Sequence, residues 1–289
     1  MEALQTTLRN TAHTLSSREN RHLIYTTAAT AAVALLAYSR HCYVEWHALG
    51  EGGIPHSLRG WLMNVAAHLF ARRDPRAVPA PYEQKKARTG ADHAIVLSAS
   101  EEQLYGAHNR ETFLGAPIPE RGARRPTVPT TVVPQRQTTE TAGAATIAKQ
   151  NAYLAAIAAA NPRLFAVKPS ALESPKFSAL WLRSQIDGVD PARAKWLPPR
   201  AVGETAHVHH EGSTHACLSL VDAAEVVRKG WGERHRMSGV KGLLPWGYVL
   251  VYAPREDAGD WDVWKEIVLA SVRVVAKSAG FDGEIVVPK

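Results

Sequence analysis

The stretch Gly203–Val221, GETAHVHHEGSTHACLSLV, governs how the C-terminal half of the chain is read. Thr205 to Val208 and Ala216 to Val221 suit strands, and Glu211-Gly212-Ser213 between them supplies a turn. Side chains alternate along a strand, so His207 and His209 share one face. The tight turn folds His215 back beside them and leaves His210 opposite.

Working outward, Asp222 and Glu225 read as an aspartate version of the capping box, for a short helix Ala223 to Lys229 that Gly230 ends. That capping role accounts for Asp222 without any chemistry. Trp246 to Tyr252 reads as a further strand, stopped by Pro254. Asp260 to Lys277 reads as a long helix, with Trp261, Trp264, Ile267, Val268, Ser271 and Val275 along one face. Upstream, the alanine-rich Thr141 to Ala160 favours a helix that Asn161-Pro162 closes. Hairpin-like strands followed by helices, with no βαβ rhythm, predict an α+β domain over 141–289. Its sheet is expected to be mainly antiparallel and packed by helices.

The N-terminal half divides by composition into a tail (1–21), an apolar anchor (22–40), a juxtamembrane region (41–75) and a proline-rich irregular connection (76–140). The apolar run Leu23 to Tyr38 would span about 24 Å at about 1.5 Å per residue, against a bilayer core of about 30 Å. Snorkelling of Arg18, Arg21 and Arg40 closes that gap. A cleaved signal peptide has a similar apolar length, but no small-x-small cleavage site precedes Tyr43, Trp46 and His47. An uncleaved anchor is the expectation. The flank after it carries Arg59, Arg72, Arg73, Arg76, Lys85, Lys86 and Arg88, against Arg9, Arg18 and Arg21 before it, which favours a cytosolic catalytic part. Leu58, Trp61, Leu62, Val65, Ala66 and Leu69 form a helical stripe. Two placements fit it, against the domain core or in the plane of a membrane.

The net charge of +7 comes from scattered residues, with no basic block and no interleaved aromatics. This argues against a nucleic-acid partner and for a surface facing lipid. Two cysteines, Cys42 and Cys217, give neither a disulfide framework nor a C-x-x-C pair.

Five of the thirteen histidines fall between Gly203 and Gly239: His207, His209, His210, His215 and His235. An H-x-H pair with a third imidazole across a turn suits two chemistries. One is acid–base catalysis near neutral pH. The other is binding of zinc or non-haem iron by His207, His209 and His215. In the block Gly230-Trp231-Gly232-Glu233-Arg234-His235, the glycines let the backbone approach a ligand closely, so Trp231 could stack on a flat ring while Arg234 and His235 hold an oxyanion. The competing reading is a core tryptophan behind a helix-capping glycine. Trp246 is a second candidate for substrate contact.

Glu204, Ala206-His207-x-His209, Ser213 with His215, Asp222 and Gly230-Trp231-Gly232-x-Arg234-His235 together resemble the signature of the fungal luciferase family. The resemblance continues through Tyr252-Ala253-Pro254-Arg255 into the C-terminal helix, and upstream at Arg125-Pro126, Gln135-Arg136-Gln137, Leu58-Arg59-Gly60 and Leu69-Phe70. It implies a cofactor-independent oxygenase that adds molecular oxygen to a hydroxypyrone, 3-hydroxyhispidin. The cyclic peroxide so formed would lose carbon dioxide and leave an excited product that emits light. Under it, His209 or His207 is the base and His215 orients it. Arg234 and His235 hold the oxyanion, Trp231 and Trp246 contact the ring, and Glu204 fixes a histidine tautomer. The anchor then implies a single-pass protein of the endoplasmic reticulum, in contact with membrane lipid. The family also includes non-luminous relatives, and His210 stands where an aspartate is expected, so a dark oxygenase fits as well. Two further readings stay open: a metal-dependent oxygenase or hydrolase holding zinc or iron, and a membrane-tethered module that binds a phenolic or lipid without turnover.

Overall fold

The computed structural model describes residues 6, 18–77, 98–122, 124–184, 188–240, 242–256 and 259–288. Arg9, Lys85, Lys86 and Arg88 of the basic flanks lie outside the described residues, as does the side chain of Arg18. By its contacts the chain forms two units, Met1–Gly50 and Glu51–Lys289.

In the first unit, α1 runs Arg18–Ala48, 31 residues, well past the sixteen-residue apolar run. No glycine or proline interrupts it until Gly50, so alanine, leucine and arginine carry the helix onward. At 1.5 Å per residue it is about 46 Å long. Its segment Asn20–Ala48 is long and apolar enough to cross a membrane, and Leu23, Tyr25, Val33, Leu35, Leu36 and Tyr38 all face outward.

The second unit is built on a six-stranded antiparallel sheet in the order β1-β2-β3-β4-β6-β5. The strands are β1 (Phe165–Pro169), β2 (Ser178–Leu182), β3 (Glu204–Val208), β4 (Thr214–Cys217), β5 (Gly232–Arg234) and β6 (Tyr248–Val251). The helices of this unit among the described residues are α2 (Leu58–Ala67), α3 (Ala99–Tyr105), α4 (Ala144–Ala160), α5 (Leu220–Arg228) and α6 (Asp260–Ser278), with two short 3-10 turns. Ala206, Ala216 and Val249 are cross-strand partners and share one face. That face joins the apolar core with Trp264, Ile267, Val268 and Val275 of α6 and Leu154 and Ile157 of α4. The Trp264 indole N–H donates to Thr214 Oγ1, pinning α6 across β4. His207, His215, Leu250 and Glu233 are partners in the same way and line the opposite face. The α+β class and the antiparallel sheet are thus as expected.

Several elements differ from the sequence reading. The strand expected to reach Val221 ends at Cys217, and α5 starts at Leu220. Its cap is Ser219, whose hydroxyl accepts from the Asp222 N–H. Asp222 is therefore no cap: its carboxylate accepts from the Thr112 hydroxyl and the Phe113 N–H, tying the upstream segment to α5. The block around Trp231 is the edge strand β5, and Gly232 is small because a Cβ there would stand 2.5 Å from the Leu250 carbonyl. Along α2 the buried positions are Gly60 and Asn64, whereas Leu58, Leu62, Val65 and Leu69 are exposed. Of its two placements, packing on the core is therefore excluded for that stripe.

Candidate active site

The hairpin β3–β4 places three imidazoles on one face. Gly212, at φ +91°, closes the turn, and the His209 N–H donates to the Ser213 carbonyl. The ring centroids of His207 and His209 are 5.0 Å apart, those of His207 and His215 5.3 Å, and those of His209 and His215 4.6 Å. All three residues are about 1% exposed. Tyr248 stacks on His215 at 4.7 Å, and His235 lies one ring beyond, 5.4 Å from His215.

Carboxylates back this cluster. Glu204 Oε1 is 2.7 Å from His207 Nδ1, and Glu204 also accepts from the Ser170 hydroxyl and the Ala171 N–H. Burial opposes its charge, but His207 and these donors hold its carboxyl below the usual range. Ser213 Oγ sits 2.8 Å from His209 Nδ1 and donates to Glu211. Burial lifts the Glu211 carboxyl, with Arg136 pulling the other way. Glu173, in the loop between β1 and β2, brings Oε1 to 3.8 Å from His215 Nδ1 and 3.9 Å from His209 Nε2. Arg136 grips that carboxylate with both terminal nitrogens, at 3.3 and 2.8 Å, and is itself buried. Burial, then the Arg136 charge, keeps His209 well below the ordinary imidazole range. Burial and the neighbouring His207 do the same for His215. His235 is pushed down to about 3 by burial, with Arg136 adding to it. Burial therefore biases His209, His215 and His235 toward their neutral forms.

The remaining expected residues lie elsewhere. Trp231 belongs to the apolar core, with its indole N–H donating to the Pro119 carbonyl. Arg234 donates to the Ala77 carbonyl and lies 5.7 Å from the Trp246 ring, away from the imidazoles. Trp246 also takes Arg72 over its face at 4.4 Å and donates to Glu101. So His207, His209, His215 and His235 meet, with Glu204 behind them, while Trp231, Arg234 and Trp246 do not join them. Glu173, Arg136 and Gln135 complete the site and had been given no role from the sequence.

Next to the cluster lies a cavity of about 510 Å³, lined by Arg73, Arg76, Arg124, Arg125, Arg236 and Glu233 among others. Gln135 joins the two: its Nε2 donates to Glu233 at 3.3 Å, and its Oε1 is 3.2 Å from His215 Nε2.

An antiparallel sheet carrying a buried histidine–carboxylate cluster beside an arginine-lined cavity has the character of an enzyme site. Residues 202–271, which hold the whole hairpin, match the luciferase domain family. A 62-residue stretch is 42% identical to the luciferases of Armillaria gallica and Armillaria mellea, and 40% identical to that of Neonothopanus nambi. It covers 20% of this chain and 23% of each relative, so the chain spans under a quarter of the length of the curated relatives it matches. Through this segment the chain is similar to the fungal luciferases. No solved structure gives a significant match to it.

Proposed function

We propose that the chain is a luciferase-type oxygenase acting on a conjugated hydroxypyrone of the 3-hydroxyhispidin type, with molecular oxygen as co-substrate. The observation that carries this reading is the convergence of His207, His209 and His215 with the buried Arg136, inside the segment shared with luciferases. An acidic enol or phenol suits the arginine-lined cavity, whose volume is that of a small-molecule site. Loss of the enol proton to the histidine–carboxylate network makes an electron-rich anion able to reduce oxygen directly. Oxygen bonds to a ring carbon, and the resulting peroxide closes on the lactone carbonyl. The O–O bond then breaks with release of carbon dioxide. One oxygen molecule is consumed and one carbon dioxide released per pyrone, with no external reductant. Arg136, rather than Arg234, is the cation placed to stabilise the peroxide anion, and a dry site limits loss of reactive intermediates to water.

The same proposal makes the protein a single-pass membrane protein, held by α1 in the endoplasmic reticulum with the second unit cytosolic. The exposed apolar residues Leu58, Leu62, Val65, Leu69 and Phe70 suit a second, in-plane contact with lipid. A hydrophobic pyrone partitions into the same bilayer. The test is to mix the purified protein with 3-hydroxyhispidin, with and without oxygen, recording photons and pyrone together. Oxygen-dependent pyrone loss with light supports a luciferase, and loss in the dark supports a non-luminous oxygenase. Binding without consumption leaves only a tethered binding module and sinks the proposal.

A further inference from the structure

We propose that His207, His209, His215 and Glu173 bind one divalent transition-metal ion. Hydrogen-bond direction fixes which nitrogen of each imidazole is free. Gln135 donates from Nε2 to Glu233 and to the Arg234 carbonyl, so its Oε1 accepts from His215 Nε2. A neutral His215 then keeps its lone pair on Nδ1. The Glu204 carboxylate accepts from His207 Nδ1, so the neutral tautomer of His207 carries its lone pair on Nε2. Ser213 gives its proton to Glu211 and accepts from His209 Nδ1, which leaves the His209 lone pair on Nε2.

These three lone pairs and Glu173 Oε1 all point inward, and one donor atom from each of the four residues lies within 4.8 Å of the others. His207 Nε2 and His215 Nδ1 are 3.3 Å apart, a separation that one shared ion can bridge. His209 Nε2 is fully buried and has no hydrogen-bond partner among the described residues. Leaving such an atom bare forfeits its hydration without replacement. Ligands about 2.0–2.1 Å from a tetrahedral ion stand about 3.3–3.5 Å from each other, close to the 3.3, 3.8 and 3.9 Å separations here. The nitrogen that each imidazole turns away from the centre is held by Glu204, Ser213 or Gln135, the outer support that ligating histidines need. Three imidazoles and one carboxylate select zinc or iron(II) over magnesium or calcium.

Ion binding stands on this geometry alone, and only its part in turnover rests on the oxygenase reading. There it would supply a Lewis acid in place of the three imidazole bases, whose lone pairs it would occupy, and the protein would not be the cofactor-independent enzyme that the family resemblance implied. The experiment uses the full chain in detergent. Metal content is measured by elemental analysis as purified, after chelation, and after reloading separately with zinc, iron(II) and cobalt(II). About one ion per chain is expected, and cobalt should give the visible absorption of a nitrogen-rich tetrahedral site. His209→Ala and Glu173→Gln should each weaken binding about tenfold or more. His210→Ala, whose side chain is half exposed and outside the quartet, should bind as the parent does. Failure of the parent to take up any of the three ions stoichiometrically overturns the proposal, whatever the folding of the variants. So does parental occupancy in a folded His209→Ala/His215→Ala protein. Metal bound without pyrone turnover would remove the oxygenase reading and keep the site; turnover by metal-free protein would keep the oxygenase reading and remove only the ion's part in it.

Discussion

Replacing Arg136 with methionine removes the guanidinium paired with the carboxylates on the acidic side of the cluster. Its terminal nitrogens donate to both oxygens of Glu173, to the Gln135 carbonyl and to the Glu51 carbonyl, and its Nε lies 3.7 Å from Glu211. Arg136 is 2% exposed and Glu173 8%, so water cannot take over these bonds. Deleting one partner of a buried ion pair costs about 3–5 kcal/mol, because the survivor stays charged and unpaired. For a unit of this size each kcal/mol moves the melting temperature by about 2–4 °C, so Arg136→Met should lower it by about 6–20 °C. Replacing both partners, as Arg136→Met with Glu173→Met, should recover more than half of that loss, since an apolar pair leaves no orphan charge. The assay is thermal melting of parent, single and double variants in detergent with excess chelator, so that metal affinity does not enter. A single variant melting within about 2 °C of the parent would refute the reasoning. So would a double variant no more stable than the single.

Gly212→Ala should destabilise the protein by about 1–3 kcal/mol, seen as a lower melting temperature, because φ is +91° and the new Cβ would stand 2.5 Å from the Ala142 Cβ. Cys217 is buried and its thiol is pushed up by burial and by Glu204, so a thiol reagent should leave it unmodified in the native protein and modify it fully on unfolding. Deleting residues 1–50 should release the protein from integral membrane association while leaving binding to anionic vesicles, and Leu62→Asp with Leu69→Asp should abolish that residual binding in a co-sedimentation assay.

The hairpin was legible because its information is local. Alternation along Thr205–Val208 and a glycine turn suffice to bring His207, His209 and His215 together, whatever the rest of the chain does. Helix α6 was legible for the same reason, through its apolar stripe. Strands β1 and β2 were not read, since Phe165–Pro169 carries a lysine and a proline and Ser178–Leu182 is too short for a clear period. Glu173 lies in the loop between them, and only tertiary packing carries it to the imidazoles. Arg136 stood in a recognised motif, Gln135-Arg136-Gln137, but nothing local shows that it is buried against Glu173. Trp231 misled because a tryptophan between two glycines looks the same whether it awaits a ligand or closes an edge strand. Helix α3 left a usable signal, the capping box Ser98-x-x-Glu101.

The central claim is that pyrone oxidation takes place at the buried imidazoles of the β3–β4 hairpin. The most direct measurement is the rate of 3-hydroxyhispidin consumption in air by His209→Ala beside the parent, with circular dichroism confirming the fold of both. The account predicts consumption by the parent and none above the protein-free blank for the variant. A folded variant that consumes the pyrone at near-parental rate would place the chemistry elsewhere in the molecule.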